Sequence, residues 1–597
     1  MYKPLMHAAD DFMQRAVHPT VLSVLLLLPT LCGCELLEFS WAGEKRPEEV
    51  EAGLVEAELP DISESLAYRD TVGEQGWVEG LRFMRVRGYG IVAGLGTRGS
   101  RECPRQVRDR MVQEMYKRPE FSSRGLEPAR ISPEQLIDDL DTAVVLIEGE
   151  IPAAAPVGST FDVYVTALPG TQTTSLEGGR LYTAELHIYR DTPGSASVEG
   201  RALAIAAGPV FVNPFSGTAD AATQRNPREG TVLGGGIVRE ARRVRFVMRR
   251  PSYQGVRSIA ETINSRFPSN SKYADAVSPS YINLEIPPRF IADPHRYLAL
   301  IRHLYLPKGA GFADERAQAL AEEIQSPGAP HPDIALAWEG IGRTILPVVE
   351  QLYADSQPHA RFYAAVTGLR LGDDVAVEVL EGFLRDPESP YRLTAIEELG
   401  YATYSYRAAG ALRELLNDAD PRIRVEAYEA LLARQDRLID TRPVGTNSFA
   451  LDLVDSTRDN LIYVRRTGDP RIALIGSGLT CLPPVFYAAP DGQITIHANE
   501  HDQQLTLVRR TPFANRTSPP LPTSCDLKEL IPMLGDDPKV NADGEVHGLA
   551  MDYTAVTHAL YELCRMRCIN ASFMLQRPTV TEMFGPLDEP GRQESDL

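Results

Sequence analysis

Three prolines divide the middle of this 597-residue chain into units of nearly equal length. Pro358, Pro390 and Pro421 lie 390 − 358 = 32 and 421 − 390 = 31 residues apart, and each precedes a run rich in alanine and leucine with helical spacing. Proline is tolerated at the start of a helix because the N–H that it lacks has no partner there. A period of this length with two helices per unit predicts a helical solenoid.

This helical segment covers residues 331–436 and resembles HEAT-like repeats. Stacked helix pairs expose a long surface that commonly binds a partner. Because the segment holds only about three units, a short helical spacer is the alternative interpretation.

Short runs rich in β-branched residues flank the helices on both sides. Thr142–Ile147 and Thr160–Ala167, each bounded by proline and glycine, predict strands in the first region. Arg471–Ile475 predicts a strand in the second region, which also contains two helical patterns, near 526–534 and 553–568. The chain is too long for one core, since domains usually hold about 100–200 residues.

The predicted fold class is therefore α+β multidomain. We expect a mixed α/β domain at residues 69–310, then the helical repeats, then a small β-rich α+β module at residues 445–576. Residues 577–597 are rich in proline, glutamate and aspartate and predict a disordered tail.

The beginning of the chain has the pattern of an export signal. The apolar run Val21–Leu28 is too short to span a bilayer, which needs about 20 residues, but suits the core of a signal peptide. The following Leu31-Cys32-Gly33-Cys34 resembles a bacterial lipobox. We expect a lipoprotein signal peptide at residues 1–34 with Cys34 as the acylated residue, and a tether at residues 35–68. A signal peptide cleaved elsewhere is the alternative.

The charge and the remaining cysteines exclude several classes. A formal charge of −20 argues against a nucleic-acid partner, which usually requires a basic surface. The five cysteines after Cys34 are too sparse for a disulfide framework. We expect Cys564 and Cys568, four apart on a predicted helix, to share a face and pack in the core. A single bridge such as Cys481–Cys525 is compatible with an oxidising compartment.

A glycine motif invites a nucleotide-binding interpretation. Gly94-Leu95-Gly96-Thr97-Arg98-Gly99 follows an apolar run and precedes a helical pattern, as a dinucleotide fingerprint requires. The acidic residue expected about 20 positions later is missing, because the next predicted strand ends only near Glu148. We expect these glycines to serve tight turns and close backbone approach, and we expect no cofactor.

No catalytic or metal site is predicted either. Glu148 and Glu150 flank Gly149 before a Pro-Ala-Ala-Ala-Pro run, so we expect a surface turn rather than a pair of catalytic carboxylates. His295 and His303 have no accompanying carboxylate pattern and are interpreted as structural. The chain is predicted not to be an enzyme.

One strand carries arginine on alternate positions. In the segment 242–249, Val244, Phe246 and Met248 fall on one face, while Arg243, Arg245 and Arg249 fall on the other. A solvated strand face is the simpler interpretation. The alternative is a contact with an acidic neighbouring subunit or a cell-wall polymer.

Five blocks, in the same order, resemble the bacterial flagellar P-ring protein family. The first, GYGIVAGLGTRGS, is similar to a glycine-rich motif near the mature N-terminus of that family, and the SLEGGRLYT portion of the second is especially similar. The blocks are Gly88–Ser100, Ala143–Leu186, Leu203–Gly208, Gly235–Glu240 and Arg250–Asn264. They lie within about residues 75–310, so the resemblance covers under half of the chain. The lipobox, the helical repeats and the module at 445–576 are not typical of the family.

The resemblance implies a structural subunit that assembles in the periplasm around the flagellar rod. Its partners would be further copies of itself in a closed ring, the rod, the outer-membrane L-ring proteins and peptidoglycan. The lipobox, independently of the resemblance, predicts an outer-membrane lipid anchor at Cys34. Such a ring requires a heterologous interface, to which Arg243, Arg245 and Arg249 are the candidate contributors. The alternative is an envelope scaffold or adaptor lipoprotein that reuses the P-ring-like module and binds a protein partner through its helices.

Overall fold

A computed structural model provides the fold and describes residues 65–117, 132–188, 201–215, 226–291, 293–306, 309, 311–446, 448–490, 492–511, 516–540 and 546–577. The elements of residues 72–306 are, in chain order, α1 (Val72–Gln75), β1 (Gly76–Glu79), β2 (Met84–Ala93), α2 (Arg105–Tyr116), α3 (Pro133–Ile137), β3 (Thr142–Ile151), β4 (Thr160–Ala167), β5 (Arg180–Ile188), β6 (Ala204–Pro209), β7 (Glu229–Val238), β8 (Val244–Met248), α4 (Tyr253–Arg266), β9 (Ala274–Ser278), β10 (Tyr281–Leu284) and α5 (Pro294–Arg302).

Six of these strands close into an antiparallel barrel with the order β2-β3-β4-β7-β6-β5. Alternation of apolar and polar residues sends one side chain in two inward, as in β4, where Phe161, Val163 and Val165 are buried. β2 pairs with both β3 and β5, so the closed barrel has no open edge.

The strand predicted at Thr142–Ile147 continues to Ile151, so the surface turn expected at Glu148 and Glu150 is wrong. Both residues lie in β3, where Arg87 and Arg85 of β2 are their partners in register. Arg87 Nε donates to Glu148 Oε1 at 2.8 Å, and Arg85 lies 3.5 Å from Glu150. These cross-strand ion pairs satisfy the carboxylates and let the strand run on.

A second layer is a four-stranded antiparallel sheet with the order β1-β8-β10-β9. Helices α4 and α5 cover one face and form a core with the strands, in which Phe246, Ile259 and Tyr297 are fully buried. The opposite face of this sheet carries Arg245 of β8, and Arg243 and Arg249 flank the strand.

The next region is helical. Its helices are α6 (Phe312–Glu323), α7 (His331–Ile341), α8 (Leu346–Val349), α9 (Pro358–Arg370), α10 (Val375–Arg385), α11 (Arg392–Tyr401), α12 (Tyr406–Leu415) and α13 (Pro421–Ala433). Pro358 and Pro421 occupy the first position of their helices, as expected, whereas Pro390 lies two residues before α11. Sequential neighbours pack together, α9 on α10 and α12 on α13. That these helices are HEAT-like repeats stays a prediction.

The last region is rich in strands. Its elements are β11 (Ile439–Val444), β12 (Phe449–Val454), β13 (Leu461–Val464), β14 (Arg471–Ile475), β15 (Val485–Ala488), β16 (Ile494–Ala498), β17 (Gln504–Thr511), β18 (Arg516–Thr517), β19 (Leu521–Ser524), α14 (Leu527–Gly535), β20 (Lys539–Val540), β21 (Val546–His547), α15 (Tyr553–Arg565) and β22 (Ser572–Leu575). A mixed five-stranded sheet has the order β11-β12-β14-β13-β22, and a second sheet is built on β15, β16 and β17.

The five-stranded sheet is buried on both faces, which is why its central strands are apolar at most positions, with Asp452 of β12 an exception. Tyr463 and Ile475 pack into the core of the helical region. Ile462 and Ile472, on the other face, pack into the core beneath α14 and α15.

Helix α15 ends earlier than the sequence predicts, so the expectation that Cys564 and Cys568 share a helix face is wrong. Arg567 adopts a left-handed conformation with φ +58°. The amide of Cys568 donates to Leu563 O at 2.9 Å, and that of Arg567 donates to Cys564 O at 2.9 Å. These two bonds are a Schellman motif, which terminates the helix before Cys568. Both cysteines still pack against the same core.

Two phenylalanines of the first region lie in the core of the last one. Phe211 contacts Tyr553 with ring centroids 5.5 Å apart, and Phe215 contacts Tyr561 at 5.3 Å. Asp162 on the barrel accepts hydrogen bonds from the amides of Gly234 at 2.6 Å and Gly468 at 2.9 Å. The predicted α+β multidomain class is confirmed. The β-rich regions before and after the helices share a core.

Candidate functional site

Strand β8 presents the arginines that the sequence pattern singled out. Val244, Phe246 and Met248 are buried beneath the sheet, whereas Arg243, Arg245 and Arg249 are exposed on its outer side. The alternation predicted for this strand is confirmed. Neighbouring positions on one face of a strand lie about 6.6 Å apart, so the three arginines extend along one line.

The arginines lie among polar groups of the flanking strands rather than alone. Arg245 is opposite Glu79 of β1 on one side and Asn283 of β10 on the other. Asp275 of β9 continues this polar row. The face is thus mixed in charge at its centre and basic towards Arg249, where Arg250 follows.

An apolar row runs beside the polar one. Trp77 of β1, Val247 of β8 and Tyr281 of β10 are neighbours in register. Trp77 is 47% exposed, which is high for so large an apolar side chain. The guanidinium of Arg245 lies 4.9 Å from the centroid of the Tyr281 ring, a cation–π contact that keeps the arginine against the sheet. We call Trp77, Tyr281 and the three arginines the arginine face.

Trp77 and Tyr281 were not predicted as site residues from the sequence. The signal was available in the run Gly76-Trp77-Val78-Glu79, whose alternation places the tryptophan on the side opposite the buried Val78. A run of four residues is too short to identify as a strand before its partner β8 is known.

Arg242, next to the arginine face, has a different environment. Its guanidinium donates to the carbonyl oxygens of Ile151 at 3.0 Å and Gly80 at 3.4 Å. Burial lowers the pKa of Arg242. This arginine ties the barrel to β1 and is a structural residue.

The glycine motif is a turn closed by an aspartate. Gly94 and Gly96 have φ of +84° and +70°, a region that favours glycine. The Asp141 carboxylate accepts from the amide of Gly96 at 2.7 Å and of Gly94 at 3.3 Å. A Cβ on Gly99 would collide with the carbonyl oxygens facing it. The expected roles in turns and close approach are confirmed. The Asp141 carboxylate accepts hydrogen bonds from backbone amides of the kind that bind phosphate in nucleotide sites.

His303 is structural, as expected. It is 1% exposed, its Nδ1 lies 2.7 Å from Ala299 O, and its Nε2 lies 3.3 Å from the Asp333 carboxylate. Burial raises the pKa of Asp333, but hydrogen bonds from His303 and Tyr68 outweigh it, so the pKa is lowered overall. The cluster joins the start of the described chain to α5 and α7. His295 is exposed on α5.

The cysteines of the last region are free thiols. The amide of Cys481 donates to Cys525 O at 2.8 Å, so the backbones of the two candidate bridge partners are adjacent. Burial raises the pKa of Cys481 to about 12. Cys34 lies outside the described residues.

The described ranges contain no group of three or more histidine, cysteine, aspartate or glutamate side chains arranged to hold a metal ion. Among their helices, none combines the length and the apolar composition that crossing a membrane requires.

Comparison with known proteins identifies the region that contains this face. Residues 72–310 match the family model described as flagellar P-ring protein. The chain is 28% identical over 237 residues to the flagellar P-ring protein of Nitrobacter winogradskyi, and 27% identical over 237 residues to flagellar P-ring protein 1 of Bradyrhizobium diazoefficiens. Each alignment covers 38% of this chain and 58% of the relative.

A longer alignment links the chain to the flagellar P-ring protein of Caulobacter vibrioides, 25% identical over 316 residues, or 51% of this chain and 77% of that protein. The barrel, the four-stranded sheet and the arginine face all lie inside the range matched by the family model. Residues 72–310 of this chain are therefore similar to the flagellar P-ring protein family.

Proposed function

We propose that the chain is a structural, non-enzymatic subunit of the P ring of the bacterial flagellar basal body. The observation that supports this is the match of residues 72–310 to the P-ring family. In this proposal the subunits assemble in the periplasm around the rod, at the peptidoglycan layer beneath the outer-membrane L ring, and support motility.

A ring of identical subunits closes only when one surface of each copy fits a different surface of the next. The arginine face is our candidate for one of these surfaces. Exposed aromatic side chains and arginine are enriched at protein interfaces, and Trp77 and Arg245 provide both. A contact with the anionic cell-wall polymer is the competing role for the same arginines.

The predicted lipoprotein signal peptide leads to a proposal about where the subunit is located in the cell. Acylation at Cys34 would attach the subunit to the outer membrane through the tether predicted at residues 35–68, of which residues 65–68 pack on the folded chain. The number of lipid chains decides whether such anchoring is reversible or stable. The anchor would act independently of the ring contacts.

Imaging of basal bodies tests the proposal directly. We expect a deletion strain to lose motility and to lack ring density around the rod, and the wild-type gene to restore both. A Cys34→Ala variant should release the protein from the membrane fraction. Normal swimming with intact rings in the deletion strain would refute the structural role, and an unchanged membrane fraction for Cys34→Ala would refute the anchor.

The scaffold alternative has one observation in its favour. The last β-rich region shares a core with the P-ring-like region and another core with the helices, yet residues 311–597 lie outside the family match. An adaptor would need such an added surface for a partner. Co-purification with basal bodies favours the ring, and co-purification with a different envelope complex favours the adaptor.

A further inference from the structure

The helical region carries a second exposed surface, with the opposite charge to the arginine face. Val375, the first residue of α10, is 58% exposed, and Tyr406, the first residue of α12, is 95% exposed. Both helices therefore begin with a large apolar side chain in solvent.

Carboxylates surround these two residues. Asp374 precedes Val375 and is exposed, and the Glu378 side chain, one turn along α10, is 67% exposed. Arg407, beside Tyr406, lies 3.3 Å from Glu378, which brings the starts of α10 and α12 together. We call Asp374, Val375, Glu378, Tyr404 and Tyr406 the acidic edge.

Tyr404 completes this edge. It is 50% exposed, and its hydroxyl donates to the carbonyl of Leu369 at the end of α9. Burial raises the pKa of Tyr404, and the negative charges of Asp374 and Asp373 raise it further. Tyr404 therefore lies against the α9–α10 connection, and the acidic edge is one continuous surface.

The acidic edge and the arginine face are complementary. Each presents exposed aromatic or branched apolar side chains. The arginine face is mixed in charge around Arg245 but basic at Arg249 and Arg250, and the acidic edge carries Asp374 and Glu378, of which Glu378 is paired with Arg407. The basic end of the arginine face would be attracted to the carboxylates of another copy, whose formal charge is −20. Complementary charge selects the partner and its register, while the apolar side chains supply area to bury.

We propose that the arginine face of one copy docks on the acidic edge of the next. This deepens the proposed ring function and rests on it, since it assigns both sides of the heterologous contact. It also gives the added helical region a role, because it supplies one of the two surfaces. The occupant of the arginine face is then a second copy of this chain, not a glycan strand.

Reciprocal charge reversal tests the contact in the full-length chain, purified in mild detergent. The first variant carries Arg245→Glu with Arg249→Glu, and the second carries Asp374→Arg with Glu378→Arg. We expect each to weaken self-association at least about tenfold, measured by light scattering against concentration. Mixing them should restore assembly, because the native arginine face of one variant fits the native acidic edge of the other, and the two reversed surfaces are again opposite in charge.

Matched controls separate docking from general charge effects. Arg257→Glu reverses an exposed arginine on α4, the helix that covers the opposite face of the sheet. Glu388→Arg reverses an exposed carboxylate beyond the far end of α10, roughly 15 Å along the helix from Asp374. Both controls should assemble like the wild type, and circular dichroism should show all variants folded.

Several outcomes would overturn the docking proposal. These are variants that assemble normally, folded variants whose mixture does not recover, and a wild-type chain that stays monomeric throughout. The result is independent of the motility experiment. If the purified chain assembles in a charge-dependent way but the deletion strain swims normally, the contact is supported and the ring function is refuted.

Discussion

The most informative stability test concerns a fully buried aspartate in the five-stranded sheet. Asp452 on β12 is 0% exposed and accepts a hydrogen bond from the Tyr428 hydroxyl of α13 at 2.6 Å. Arg471 of β14 lies 2.8 Å from the same carboxylate, and Thr441 of β11 also donates to it. Burial and Asp452 together raise the pKa of Tyr428, so the phenol remains a donor at neutral pH.

Replacing Asp452 with asparagine keeps the shape of the side chain but removes its charge. The Arg471 side chain, only 19% exposed, would then be a buried cation without its partner. Breaking a buried ion pair on one side costs about 3–5 kcal/mol. Arg471→Met should cost a similar amount, since it leaves the carboxylate uncompensated. The double variant removes both charges and should lose only about 1–2 kcal/mol, because the asparagine can still accept from Tyr428.

The assay has to be local because a chain with several cores does not unfold in two states. Hydrogen exchange of the β12 and β14 amides, followed by mass spectrometry under increasing urea, reports the opening free energy of this sheet. Peptides from the barrel strand β4 serve as the internal control. A loss below about 1 kcal/mol in both single variants, or a double variant as unstable as the sum of the two, would refute the reasoning.

Three further predictions follow from single contacts. Gly99→Ala should lower the opening free energy of the barrel strands by about 1–3 kcal/mol in the same hydrogen-exchange assay, since its Cβ has no space, whereas Gly382→Ala, with open space around it, should not destabilise its helix. Cys481 should react with iodoacetamide at pH 8 far more slowly than Cys525, because burial raises its pKa to about 12 and leaves it protonated; equal rates would contradict this. The pKa of Asp333 is lower in the folded chain than its value of about 4 in the unfolded chain, so the ionised carboxylate stabilises the fold at pH values above about 4. This stabilisation is lost as the pH falls below about 4. Asp333→Asn should therefore lose less stability than the wild type on acid titration.

Local patterns predicted the local elements well. The strands at Thr160–Ala167 and Arg471–Ile475 have the bounds expected from their composition. The alternation in β8 placed its arginines on the correct side. These predictions succeed because a period of two depends only on which residues in one short run need burial.

Features that depend on distant partners were not predicted. Glu148 looked like a turn residue because its ion-pair partner, Arg87, lies on another strand. The end of α15 depends on a left-handed Arg567, a conformation for which no residue type in that run gives a signal. Barrel closure and the insertion of Phe211 into the core of the last region join segments far apart in the sequence, and hydrophobic pattern alone does not specify such pairings.

The arrangement of the cores bears on how a ring could close. The five-stranded sheet is packed on one face against the helices that carry the acidic edge and on the other against the core that contains Phe211 of the P-ring region. The acidic edge and the region bearing the arginine face are thus joined through packed layers rather than through a flexible linker. A head-to-tail contact closes at a fixed number of copies only if the rotation from one docking surface to the other is constant within each subunit. A core-packed connection provides that constancy, because a close-packed interior resists continuous deformation. Phe211→Ala opens a cavity where the two regions meet. It should therefore broaden the distribution of assembly sizes in electron micrographs while leaving the affinity of each contact intact. A uniform ring from this variant would show that the rotation is fixed elsewhere.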